Sequence, residues 1–487
     1  MPDNTFEEKQ PEDKRIYILS REKPAKAIVK LGVPLIAGMF IMVLYNLVDT
    51  YFIGLMHDDY QLAAVNLAYP VMMISIAISN MIGTGASSLI ARSLGAQDRE
   101  KADHTVTVGF VLTVINSFLV TAVGLVFLSA IVAGLGAKSN TYDYTMQYVS
   151  VILLGSLFTM GSYTFGQLLR SEGSVKQSVM GMIAGTITNI ILDPVFIFVL
   201  GMEIRGAAIA TILGNGVSMA VSLWFYVSGK TLLRPAVKYL RNSAKLADAK
   251  AAEAAENVSG KQTQVTVAIC GEIFWVGIPA TLETLLTSVA YIVNNNLAVA
   301  YGELTVAAMG IAQKILSLGN YIYQGFAAGT QPIMGYNYGA KNYKRMLEVL
   351  KSGVLVVSGT EAVVMAVYGV FAPWLIGIFT ESAEVIRIGS KVLRAIMCIL
   401  PFVGAISMSR MSFQAMGKPQ FAFGITLVRQ LILYVPLLLL LNSVFGFGGM
   451  IWAQPVTEVI MMVVSVSLLY GTIFRLQARD GKVNRQD

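Results

Sequence analysis

Apolar runs of helical length, separated by short polar stretches, recur along the whole chain. A helix that crosses a membrane needs ~20 mostly apolar residues. Twelve such segments fit, starting near residues 27, 62, 104, 144, 177, 206, 265, 304, 347, 385, 420 and 449. The pattern predicts an all-α integral membrane protein with twelve transmembrane helices. So many spans leave no room for a water-soluble domain. The composition agrees, with 55% hydrophobic residues, 13% charged residues and a mean hydropathy of +0.64, values outside the range of soluble enzymes.

The same pattern repeats. Gly32 and Pro34 match Gly277 and Pro279 at an offset of 245, while Gly85, Gly95 and Ala96 match Gly329, Gly339 and Ala340 at 244. Gly173 matches Gly417 at 244, and Gly206 and Ala210 match Gly449 and Ala453 at 243. One offset sustained over five spans defines two halves. Six spans per half start both halves on the same membrane side, so they form parallel-repeat six-helix lobes. The expected boundaries are an N-terminal segment (1–26), an amino-terminal lobe (27–229), a linker (230–264), a carboxy-terminal lobe (265–474) and a tail (475–487).

The formal charge of +7 adds orientation. Most of the 36 Lys and Arg residues fall in the loop set that includes both termini, the richest being residues 230–262. The positive-inside rule puts that set, and both termini, in the cytoplasm. The charges bracket spans and form no single basic face, so nucleic-acid binding is not expected. The polar residues 1–26 predict no cleaved signal peptide, with the first span as its own insertion signal. The cysteines, Cys270 and Cys398, support neither a disulfide framework nor a metal site. The histidines, His57 and His104, are expected in solvated loops.

Against this apolar background, Asp49 and Asp193 stand out. Each lies eight residues before the outer end of its segment, taken at His57 and Gly201, or ~12 Å deep at the helical rise. An intramembrane acid costs at least ~2.5 kcal/mol to insert and marks an ion path by default. Asn189 shares a helix face with Asp193 at i, i+4, Thr211 enters on the next span, and Tyr45 lies one turn before Asp49. Two carboxylates, an amide carbonyl and a hydroxyl suit a sodium ion. With one carboxylate protonated the same group is a proton site. Pro34, four turns before Asp49, is a candidate hinge or a plain kink. Other polar residues inside spans are Asn46, Gln167, Glu283, Asn295, Gln313, Lys314, Gln331, Glu361, Arg410, Arg429 and Glu458. Glu283 is the candidate for attracting a cationic substrate, with neutralisation by Lys314 as its bland alternative. Arg410 is expected to snorkel towards lipid headgroups.

The first-span sequence GVPLIAGMFIMVLYNLVDTYFIG, the pair TNIILDP and GAAIATILGN, and the loop LGAQDREKA resemble the multidrug and toxic compound extrusion family over nearly the whole chain. The resemblance implies two six-helix lobes around a V-shaped cleft, and export of cationic or amphipathic drugs against sodium or proton entry. It also implies that Asp49, Asn189, Asp193 and Thr211 form the amino-lobe cation site, with Tyr45 beside them, and that these four would be the metal ligands if sodium is the coupling ion. Some members carry acids in the seventh and tenth spans. Here the tenth offers Arg410 and no acid, and Asn294 stands at Asp49's repeat position, so coupling is expected in the amino lobe.

The expected function is secondary active drug efflux by alternating access across the cytoplasmic membrane. No cofactor is expected beyond the coupling ion. The partners are small organic cations or amphipathic drugs and the lipid bilayer, and a monomer suffices. The alternative within transport is a lipid-linked sugar flippase, which would line its cavity with several cations for pyrophosphate. A channel or receptor fits the hydropathy but not the paired acids. An enzyme is disfavoured by the lack of HExxH, GxSxG with a usable His, or GxxxxGK[ST].

Overall fold

The computed structural model describes residues 13–54, 59–236 and 252–483, which are almost entirely helical. In the amino half, the short helix α1 (Lys14–Ser20) precedes α2 (Pro24–Gly54), α3 (Asp59–Gly95) and α4 (Arg99–Val126). There follow a short α5 (Leu128–Gly134), α6 (Ser139–Leu154), α7 (Ser156–Ser171), α8 (Val175–Pro194) and α9 (Glu203–Val227). Helices α6 and α7 bend by 51° and make a single crossing. The carboxy half holds α10 (Ala252–Val299), α11 (Glu303–Gly339), α12 (Tyr343–Gly377), α13 (Ala383–Ile396) and α14 (Leu400–Ala415). It ends with α15 (Pro419–Leu427), the π-helical turn Val428–Tyr434 and α16 (Val435–Val483). Gly446 (φ 56°, ψ −143°) breaks α16 into two passes.

Each half thus supplies six crossings, twelve in all among the described residues. Nine described helices are long and apolar enough to cross a membrane by composition alone, or ten with the bent pair. Helix α11 is not among them because Gln313, Lys314, Asn320, Gln331 and Asn337 interrupt its apolar run. Val126, Val227 and Leu355 expose apolar side chains on the outside of the bundle, the surface a bilayer would cover.

The repeat is visible in local geometry. Asp98 caps α4 by accepting from the Lys101 amide (2.9 Å), and Asn342, 244 positions on, caps α12 by accepting from the Arg345 amide (3.2 Å). Before each cap stands a non-glycine residue in left-handed backbone, Gln97 (φ 62°) and Lys341 (φ 54°). A side-chain acceptor at the N-cap satisfies an amide left open by the first helical turn.

One apolar core, including Ala64, Tyr148 and Ile204, belongs to the amino half, and another, including Met309, Leu393 and Met450, to the carboxy half. The third mixes both, packing Leu31, Ile90 and Phe165 with Ile333, Met408 and Phe413. This shared core lies at the end of the bundle that carries α1. Polar fastenings flank it: Glu272 pairs with Arg92 (3.1 Å) and Lys101 (3.0 Å) across the halves. His104, expected in a solvated loop, is instead only 3% exposed inside α4 and meets Thr266 Oγ1 at 2.9 Å, because α10 packs over it. His57 lies outside the described residues. Helix α1 and the peptide after it strap both halves: Arg345 donates to the Glu22 carbonyl (2.7 Å), Asn337 to the Leu19 carbonyl (2.9 Å), and Arg15 to Ser174 Oγ (2.9 Å).

Candidate functional site

Helices α8 and α9 meet through small residues. A Cβ added to Gly185 would reach the Gly214 carbonyl at 2.5 Å, and one on Gly214 would sit 2.8 Å from the Gly185 carbonyl and 2.9 Å from Asn189 Cβ. Backbones this close need glycine on both sides. One turn beyond the contact, α8 presents Asn189, and two turns beyond it Asp193. The approach delivers Thr211 of α9 to the same place. Asn189 Nδ2 donates to Asp193 Oδ1 at 3.3 Å and reaches Thr211 Oγ1 at 3.5 Å. The three side chains are buried, Asp193 completely.

Pro194 removes the next helical donor, and the chain relaxes into the π turn Val195–Val199, closed by the Leu200 amide on the Val195 carbonyl (2.9 Å). A π turn inside a helix is frequent at functional positions. This turn was not legible in the sequence beyond the Asp-Pro pair itself.

Asn189 Oδ1 has no hydrogen-bond partner among the described residues. A buried amide oxygen left open is costly unless a ligand accepts its lone pairs. Asn189 and Thr211 also line a cavity of about 230 Å³, walled by α2, α7, α8 and α9 and touched by Ala328 of α11. Met39, Met42, Met182 and Tyr163 make its surface deformable and partly aromatic. Arg170, the single charged residue lining it among the described residues, donates to Ser178 Oγ at 2.9 Å. Sequence reasoning did not single out Tyr163, Arg170 or Asn215, since only the packing of α7 against α9 turns them inward.

Asp49 and Tyr45 belong to α2, but their side chains lie outside the described residues. Pro34 sits within the same helix, which continues through it from Pro24 to Gly54. Glu283 is 3% exposed and does not line the cavity. It holds Arg410 in an ion pair and accepts from Gln414 Nε2 at 3.2 and 3.3 Å. Lys314, its suggested partner, is exposed instead. Arg410 therefore turns inward to Glu283 rather than snorkelling to lipid. A second ion pair, bidentate and part-buried, joins Arg429 to Glu458 at 2.6 and 2.9 Å.

The MatE family model matches residues 34–195 and again 279–440, two copies displaced by the 245-residue offset of the repeat. The multidrug export protein MepA of Staphylococcus aureus (strain NCTC 8325 / PS 47) is 27% identical over 458 residues, covering 94% of this chain and 96% of MepA. A solved outward-facing conformation of a multidrug resistance MATE family transporter of the MOP superfamily aligns with a TM-score of 0.85 and 28% identity, covering 96% of this chain and all of that one. A MATE crystal structure in complex with MaD3S aligns equally well, with a TM-score of 0.85, 27% identity, and coverage of 96% of this chain and 99% of that one. With both halves matched and the twelve-crossing, two-lobe fold in common, the chain belongs to the MatE family and is a membrane transporter rather than an enzyme.

Proposed function

We propose that the protein exports cationic or amphipathic drugs across the cytoplasmic membrane in exchange for sodium ions or protons, the two lobes rocking to give alternating access. The observation that carries this reading is the buried Asn189–Asp193–Thr211 group, of which Asn189 and Thr211 stand on the wall of a cavity and Asp193 lies behind them. A coupling ion would bind there with Asp49, Tyr45 standing alongside. Drug would occupy the adjoining cavity, so the two ligands compete through a shared wall. An ion that binds one conformation better shifts the protein towards it by that difference in affinity. Pro34 would serve as the hinge that lets α2 follow. Glu283 would act on substrate only after release from Arg410. The end with the strap would face the cytoplasm, as the basic loops require, and one chain, holding both lobes, would work as a monomer.

The likeness to MepA, a multidrug export protein, supports small-molecule substrates. A lipid-linked sugar flippase draws less support, since Arg170 is the single cation on the cavity wall among the described residues. The test is efflux of a fluorescent organic cation, and of a zwitterionic drug, from proteoliposomes under separately imposed sodium and pH gradients. Movement driven by one gradient supports the antiporter and names its ion. No movement of either probe under either gradient overturns it and turns attention to lipid-linked substrates.

A further inference from the structure

The carboxy lobe contains a buried acid that neither the packing nor the amino-lobe site accounts for. Glu361, midway along α12, is 0% exposed. Neither of its carboxylate oxygens makes a hydrogen bond of ordinary geometry among the described residues, the Tyr323 backbone standing within weak polar reach. Its helix face is fixed by Val357, one turn earlier. A Cβ on Gly404 of α14 would overlap Val357 and lie 3.3 Å from Tyr323 Cβ of α11. Glu361 thus points into the junction of α11, α12 and α14, in the middle of the lobe.

The charges around it are already spoken for. Tyr323 stands within electrostatic reach of Glu361, Glu458, Arg410 and Arg429. Of these, Arg410 from α14 is held by Glu283, and Arg429 from the π turn is held by Glu458 of α16. Tyr368, two turns along α12, spends its hydroxyl proton on the Ile315 carbonyl (2.9 Å). Arg394 of α13 donates to the Gly369 carbonyl (3.2 Å), and the lysines at the start of α2, Lys26 and Lys30, pair with Glu22. Lys314 of α11 is exposed. Three acids therefore share two arginines, and Glu361 is the one left over.

An ionised carboxylate with no counter-charge and no hydrogen bond of ordinary geometry is among the costliest groups to bury. Something must neutralise it. Sodium would require several more oxygens, and the neighbouring acid Glu458 is engaged by Arg429. A proton needs only the carboxylate itself. We propose that Glu361 is a proton-binding site of the carboxy lobe, distinct from the aspartate group of the amino lobe, and that it releases its proton when the lobe rearranges. Release follows wherever movement of α11 against α12 admits water or swings Arg410 or Arg429 towards it. The flanking π turn Val428–Tyr434 lets Arg429 change direction without breaking a whole helix. The role in a transport cycle rests on the reading proposed above, whereas the protonation itself does not.

The test is infrared difference spectroscopy of the full chain in proteoliposomes, titrated from mildly acidic to alkaline pH and compared with Glu361→Gln. Wild type should carry, beyond the band of Glu172, a further protonated, deuterium-sensitive carboxyl band that disappears as pH rises and is missing from the Gln variant. Glu361→Asp should keep the band at a shifted frequency, and it serves in place of Gln if that variant fails to fold. Identical titrations in wild type and variant overturn the proposal, because Glu361 is then ionised throughout. A Glu361 band that persists at every pH also overturns it, since such a proton never leaves. Failure of drug efflux with the titrating band intact would sink the exporter reading and leave the proton site standing.

Discussion

Gly95 and Gly339, 244 positions apart, press against each other's helices: a Cβ on Gly95 would overlap the Tyr336 carbonyl, and one on Gly339 the Arg92 carbonyl. Arg92 and Tyr336 are themselves 244 positions apart. The two lobes therefore meet about a pseudo-twofold axis at the strapped end, and that contact is backbone against backbone. Overlap with a carbonyl cannot be relieved by a rotamer change, so Gly339→Leu should wedge the seam open, at a cost of ~1–3 kcal/mol in overpacking. Spin labels on the exposed, symmetry-related positions Glu100 and Lys344 report it. The distance between them should lengthen in the variant, and an unchanged distance would mean that the seam does not set the closed state.

In the Arg429–Glu458 pair Glu458 is buried and Arg429 mostly so, and its stability contribution depends on both members being present. Glu458→Gln strands the guanidinium and should destabilise the carboxy lobe by about 3–5 kcal/mol, whereas a double replacement by Met and Leu should recover most of that loss. Thermal unfolding in detergent distinguishes the two. Equal loss in the single and double variants would show that the pair matters for shape and not for charge balance.

Glu172, in the turn between α7 and α8, is fully buried, and burial pushes its carboxyl from 4.5 up to about 7 despite hydrogen bonds from Ser174 Oγ (2.6 Å) and the Leu233 amide (2.8 Å). The folded chain therefore holds a proton that the unfolded chain gives up between those two values. Stability should fall as pH rises across that window and level off above it, by an amount on the order of 3 kcal/mol. Glu172→Gln should flatten this part of the profile. A wild-type melting temperature that rises through the same window would contradict the assignment.

Much of the fold was legible because its signals are local. Span length and the 244–245 offset need only one strand of sequence, and the i, i+4 spacing already put Asn189 and Asp193 on one face. What the sequence could not reveal is rotation about helix axes. Glu283 and Arg410 are 127 positions apart, and nothing in either span says that they face one another while Lys314 turns outward. His104 was misjudged for the same reason, since its burial depends on α10 crossing over α4. Glu361 was one of eleven polar residues within spans, and only the pairing of its neighbours isolates it.

Asn189 is expected to act by lending its open Oδ1 to the ion, so Asn189→Ala should weaken ion binding more than drug binding. Isothermal titration with each ligand separately checks this. Equal losses would instead mark Asn189 as a packing residue between α8 and α9.

The most direct test of ion-coupled export is gradient-driven efflux of a fluorescent organic cation from proteoliposomes, comparing wild type with Asp193→Asn and Asp49→Asn. Substrate should leave wild-type vesicles under one of the two ion gradients and stay in both variants, with drug still binding to the purified proteins. Efflux that survives both neutral substitutions would contradict coupling through the amino lobe.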